Sequence, residues 1–195
     1  TYPLQPIHGK PMKDTENGYG GVSILLHWVA AITMIALFLL GQAAEDAADS
    51  ERKTLLGLHI SIAISMYLIL VGRIGWRLYN GRPRVLIEQS QPLTLLAQWI
   101  PIILLAGLAL MLLSGPIMVW SKGYSINVFG MINLPSPLGK METLQNVMEV
   151  LHKVGAKILF FAFILHMLGV LKHLIIDRDN TLKRMLIPSK KVTEK

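Results

Sequence analysis

An all-α integral membrane four-helix bundle is the fold class this sequence predicts, and three observations predict it. Hydrophobic residues make up 52% of the 195-residue chain and charged residues only 16%, a balance that a water-soluble domain of this length cannot keep dispersed. Four apolar runs are each long enough, at about 20 residues or more, to cross roughly 30 Å of hydrocarbon. Charged or turn-rich stretches separate the runs, so the chain is expected to cross four times.

Residues 1–21 read as a polar lead-in, irregular because Pro3, Pro6, Pro11 and the Gly18, Gly20 and Gly21 cluster interrupt any repeat. The first span is expected at 22–41, too long for the apolar core of a signal peptide. A charged connector, 45–53, leads to a second span at 55–78, where Arg73 and Arg77 near its end snorkel to the interface. The third, 93–120, is long enough to tilt or to kink at Pro101, with Trp99 and Trp120 at headgroup level near its ends. Pro135, Pro137 and several glycines make 121–143 an exposed loop with one short interfacial piece. The fourth span, 147–176, is followed by a basic tail, 177–195.

Composition excludes several kinds of chemistry. With no cysteine the chain has no disulfide framework, thiolate zinc site, iron–sulfur cluster or covalent c-type haem attachment. The net charge of +7 reads as lysine and arginine flanking membrane spans rather than a surface for nucleic acid. One end of the bundle carries Lys10, Lys13, Arg73, Arg77, Arg82, Arg84, Lys172, Arg178, Lys183, Arg184, Lys190, Lys191 and Lys195. The other carries Arg52, Lys53, Lys122 and Lys140, with Lys153 and Lys157 near a span end. The positive-inside rule therefore places both termini in the cytoplasm.

The histidines carry the functional signal. Besides His8 in the lead-in, His27 lies in the first span, His59 in the second, and His152, His166 and His173 in the fourth. One intramembrane histidine is as well explained by a helix–helix hydrogen bond; several at matched depths are not. His152 and His166 are 14 residues apart, about 21 Å and nearly four whole turns, so one helix offers two stacked imidazoles on similar faces. Each opens an H-x-x-G, with Gly155 and Gly169 about one turn beyond leaving room for a flat macrocycle or a close helix. His59 and His152 both lie about five residues into spans entered from outside and form the outer pair. His27 is level with His166 or His173 on the inner side, and depth alone does not choose between them. Two neutral imidazoles on each iron give a six-coordinate haem that carries electrons with no open position for oxygen.

In sequence order these motifs resemble the bacterial cytochrome b-561 family of small, four-span, di-haem proteins. The resemblance covers nearly all of 19–188. It runs through Ile24-Leu-Leu-His27-Trp28, Leu55-Leu-Gly-Leu-His59, Arg73-Ile-Gly-Trp-Arg77-Leu, Leu151-His152, His166 with His173, and Asp177-Arg178-Asp179-Asn180-Thr181-Leu-Lys-Arg184-Met185-Leu-Ile-Pro188. It implies that two haem b groups sit between the helices, with His27 and His166 binding the cytoplasmic-side iron and His59 and His152 the periplasmic-side iron. It further implies exchange of electrons with ubiquinone in the membrane, with superoxide at the outer face in some members and with protein partners in others. In the superoxide-oxidising members the third span opens with histidines and a tyrosine, whereas here Ala97-Gln98-Trp99-Ile100-Pro101 has no histidine.

Three other features bear on the site. Arg73 is a candidate partner for a haem propionate, since a guanidinium grips a carboxylate in two places, with membrane anchoring an equal reading. Ser23, four residues before His27 and so on its face, either bonds a propionate or quinone oxygen or caps the helix start. No nucleophile–base constellation is present, so any catalysis belongs to the cofactor's redox chemistry. The function expected is a transmembrane di-haem cytochrome moving single electrons between a periplasmic-side donor, such as superoxide, and the quinone pool. The alternative is an electron-transfer and membrane-anchor subunit of a respiratory dehydrogenase or larger respiratory complex, docking a redox protein through 121–143.

Overall fold

A computed structural model describes residues 13–15, 18–80 and 90–188. Four long helices dominate: α1 (Gly21–Asp46), α2 (Asp49–Asn80), α3 (Gln91–Ser121) and α4 (Glu142–Lys172). All four are long and apolar enough to cross a membrane. The shortest, α1, has 26 residues, about 39 Å of rise against roughly 30 Å of hydrocarbon. Large apolar side chains such as Leu25, Leu39 and Leu68 stand exposed along the outer faces, as lipid-facing positions require.

The helices run past the apolar stretches that reveal them. The connector expected at 45–53 shrinks to Ala47 and Ala48, because Glu45, Asp46 and the Asp49–Lys53 stretch continue the flanking helices. Hydropathy marks where lipid begins, while helix ends are set by caps and backbone propensity. Pro101 and Pro116 both lie inside α3. The segment expected as an exposed loop instead holds a two-stranded antiparallel hairpin, β1 (Ile126–Val128) and β2 (Ile132–Leu134). Its alternation turns Ile126 and Val128 inward, at 1% and 6% exposure. Its turn docks on α2, where the Ser61 hydroxyl accepts the Phe129 N–H at 3.0 Å and donates to the Gly57 carbonyl at 2.7 Å.

Packing divides the bundle into two helical hairpins. α1 lies along α2 and α3 along α4, and few contacts join α2 to α3. Helices α3 and α4 approach closely through glycines: a β-carbon on Gly107 would run into Leu159, and one on Gly155 would meet Met111 and Leu110. A small apolar core of Ala30, Leu70, Leu108 and Leu112 links three helices.

At one end of the bundle the Trp28 indole N–H donates to the Met185 carbonyl at 2.8 Å, tying the segment after α4 to the start of α1. There α4 continues as a π-helical turn, His173–Asp177, closed by Arg178 in the left-handed region at φ 51°. A short helix α5 (Thr181–Arg184) follows. The opposite end carries the α1–α2 turn, the β-hairpin and the start of α4.

Candidate functional site

The four intramembrane histidines meet in two pairs across the cleft between the helical hairpins. His27 of α1 faces His166 of α4 with ring centroids 6.3 Å apart, and His59 of α2 faces His152 of α4, also at 6.3 Å. Helix α4 thus serves both pairs, one near each end of the bundle. His173 does not join His27. Its Nδ1 lies 2.7 Å from Asp179 and 3.1 Å from Asp177, whose carboxylate also holds Lys172 at 2.6 Å.

The spacing fits a metal ion between two imidazoles. A first-row metal–imidazole bond of about 2.0–2.1 Å, plus about 1.1 Å from each nitrogen to its ring centre, places the centroids roughly 6.3 Å apart. Both pairs show this separation independently.

The outer pair also shows how its rings are aimed. His59 Nδ1 lies 2.9 Å from the Leu37 carbonyl on α1. A carbonyl only accepts, so Nδ1 carries the proton and Nε2 keeps its lone pair. His152 Nδ1 lies 2.9 Å from the Ser114 hydroxyl on α3, which itself sits 2.7 Å from the Leu110 carbonyl. With its own hydrogen given to Leu110, Ser114 accepts from His152 and leaves that ring's Nε2 bare as well. The His59 and His152 imidazoles are therefore each neutral, held by a partner at Nδ1, with an Nε2 lone pair that could take a metal ion.

Glycines flank these rings. A β-carbon on Gly41 of α1 would lie 3.8 Å from the His59 imidazole, and one on Gly115 of α3 would lie 3.5 Å from that of His152. Ser114, Gly115, Gly41 and the Leu37 carbonyl all escaped the sequence reading. A signal existed for two of them, since Ser114-Gly115 is a small polar interruption in an otherwise apolar helix. Gly155, expected to clear room for a macrocycle or a helix, faces α3, while a β-carbon on Gly169 would meet nothing within 4 Å.

At the inner pair Arg73 lies 14 residues after His59 on α2, so it returns to nearly the same face at the depth of His27. Ser23 is buried and accepts the Trp76 indole N–H at 2.8 Å, so its oxygen joins α1 to α2; Gly20, not Ser23, occupies the cap position. His8 and residues 10, 82, 84, 190, 191 and 195, which entered the charge argument, lie outside the described residues.

Comparison with known proteins points the same way. The prokaryotic cytochrome b561 family matches residues 18–187. The chain is 31% identical over 175 residues to cytochrome b561 homolog 2 of Escherichia coli (strain K12), spanning 89% of this chain and 93% of that protein. It is 25% identical over 171 residues to the probable superoxide oxidase CybB of Yersinia pestis, spanning 86% and 95%.

Proposed function

Because the chain belongs to the prokaryotic cytochrome b561 family, whose members bind b-type haem, we propose that it holds two haem b groups and passes single electrons across the bacterial membrane. His27 and His166 hold the inner iron, and His59 and His152 the outer one. The observation that carries this reading is the pair of histidine contacts, each with ring centroids 6.3 Å apart, a separation that would admit a metal ion between the two imidazoles. Haem iron supplies reversible one-electron chemistry. The chain's own residues do the rest: Leu37 and Ser114 fix the outer tautomers, and Arg73 provides positive charge for an inner carboxylate.

With both termini cytoplasmic, His59 and His152 lie toward the periplasm. The donor there is superoxide, as the name of the Yersinia relative suggests, and the acceptor is ubiquinone in the bilayer. Two superoxide anions each lose one electron and leave as dioxygen, while one ubiquinone takes both electrons and two protons to become ubiquinol. The test is a reduced-minus-oxidised spectrum with a haem-to-protein ratio, followed by superoxide and quinone assays on the purified, haem-loaded protein. Two haems per chain and superoxide consumption above its spontaneous decay are expected. A ratio of zero, or a protein that superoxide does not reduce, would sink the corresponding half of the reading.

A second reading has one observation in its favour. The hairpin end exposes Tyr124, Phe129, Met131 and Ile132 together, Met131 at 80%, a surface suited to a periplasmic or membrane redox protein within a respiratory complex. Co-purification of a stoichiometric partner in mild detergent, with no turnover by the isolated chain, would select it.

A further inference from the structure

Among the described residues, three ring contacts cross the cleft between the helical hairpins. Two are the histidine pairs. The third is Phe38 of α1 stacked on Phe160 of α4, with centroids 4.9 Å apart and planes inclined by only 8°. The proposed function makes no use of it.

Its position is intermediate in depth. Phe160 lies eight residues, about 12 Å, along α4 from His152, and six residues, about 9 Å, from His166. Phe38 lies eleven residues from His27, close to three whole turns, so it returns to the face from which His27 projects. Its chain neighbour Leu37 supplies the carbonyl that holds His59 Nδ1. One aromatic contact is thus mechanically continuous with the inner pair through α1 and with the outer pair through the Leu37 backbone.

We propose that the Phe38–Phe160 stack is the spacer of this cleft, dividing it into two cofactor compartments and holding the width that both histidine pairs share. The inference rests on the two-haem reading. Parallel rings in contact resist further compression, and at a 4.9 Å centroid separation they are offset, so the positive edge of one lies over the negative face of the other and holds the stack together. The helices it joins have little other contact across the cleft to fix their separation. Phe38 and Phe160 are positioning residues: they set the distance between imidazoles without ligating iron.

The test uses the protein purified from haem-replete cells, comparing Phe38→Ala, Phe160→Ala and the milder double variant Phe38→Leu/Phe160→Leu, which keeps branched apolar bulk but no ring stack. Leu68→Ala, on the exposed face of α2, is the control. The readouts are haem-to-protein ratio, the midpoint potentials of both haems, the low-spin ferric electron paramagnetic resonance signals, and helicity. The alanine variants are expected to keep their helicity and fall from two haems to one or fewer. The leucine pair is expected to retain two haems with both potentials displaced and both ferric signals shifted, while Leu68→Ala changes none of these. If the alanine variants fail to fold, the leucine pair decides. Two haems at unmoved potentials in the leucine pair, or in folded alanine variants, would overturn the spacer and leave the two-haem reading standing. A native protein carrying fewer than two haems would overturn the two-haem reading itself, and the two compartments with it.

Discussion

Replacing Ser114 with alanine isolates the support behind one of the proposed haem-binding imidazoles, that of His152. The Ser114 side chain is fully buried, and its hydroxyl is the acceptor for the His152 Nδ1–H. Alanine removes an oxygen and leaves almost no cavity, so α3–α4 packing survives. The buried imidazole N–H then lacks a partner, at a cost of about 1–3 kcal/mol. Without haem, the ring escapes part of that cost by turning or by moving its proton to Nε2. Holding a haem through Nε2 would require the Nδ1–H tautomer again, so the cost would reappear as weaker binding. At about 1.4 kcal/mol per tenfold, haem affinity at the outer site should fall roughly 10–100-fold, the range found when a partner behind a metal ligand is lost.

The assay is haem titration of apoprotein in detergent, followed through the b-type absorbance band. His59→Ala and His27→Ala variants serve to isolate the inner and outer sites respectively. In the Ser114→Ala background the outer-site curve should shift to higher haem concentration while the inner-site curve stays in place. Outer affinity within about twofold of the parent, or an equal loss at both sites, would refute the tautomer argument.

Three further outcomes follow from the same geometry. His166→Ala should lower the haem-to-protein ratio by one, whereas His173→Ala should leave it unchanged, since His173 is engaged by Asp177 and Asp179; pyridine haemochrome spectra decide. The Asp179 carboxyl is raised by burial, but the Thr181 N–H at 2.8 Å and His173 outweigh this and hold it below its ordinary value. Its stabilising contribution is therefore complete above the unfolded value of about 3.9 and lost as pH falls through the lower folded one. Protease protection of the 173–188 segment should decline over that window and lose its pH dependence in Asp179→Asn. Gly107→Ala drives a β-carbon into Leu159 and should cost about 1–3 kcal/mol in detergent unfolding, as overpacking does.

Much of the fold could be read from the sequence because lipid imposes a length test that few segments pass by chance. The four spans were visible as apolar runs, and a 14-residue interval on one helix placed His152 and His166 on a common face. Depth brought His59 to His152 but left His27 undecided between His166 and His173, since a one-dimensional ruler cannot see which ring a neighbouring helix faces. The supports were hidden for a different reason. Leu37 acts through its backbone carbonyl, which every residue has, and Ser114 looks like any small residue at a helix contact. The hairpin at 126–134 escaped because three-residue strands have too few alternations to stand out, and its strength comes from the α2 serine beneath it.

The division of the bundle into two helical hairpins bears on how the chain matures. The first hairpin carries His27 and His59, one imidazole of each pair, and the second carries both of their partners on its last helix. During synthesis, neither site has its second imidazole until α4 has entered the bilayer. On the proposed two-haem reading, a truncated or stalled chain would offer only single histidines with no opposing imidazole, so both sites would be completed only when α4 has joined the bundle.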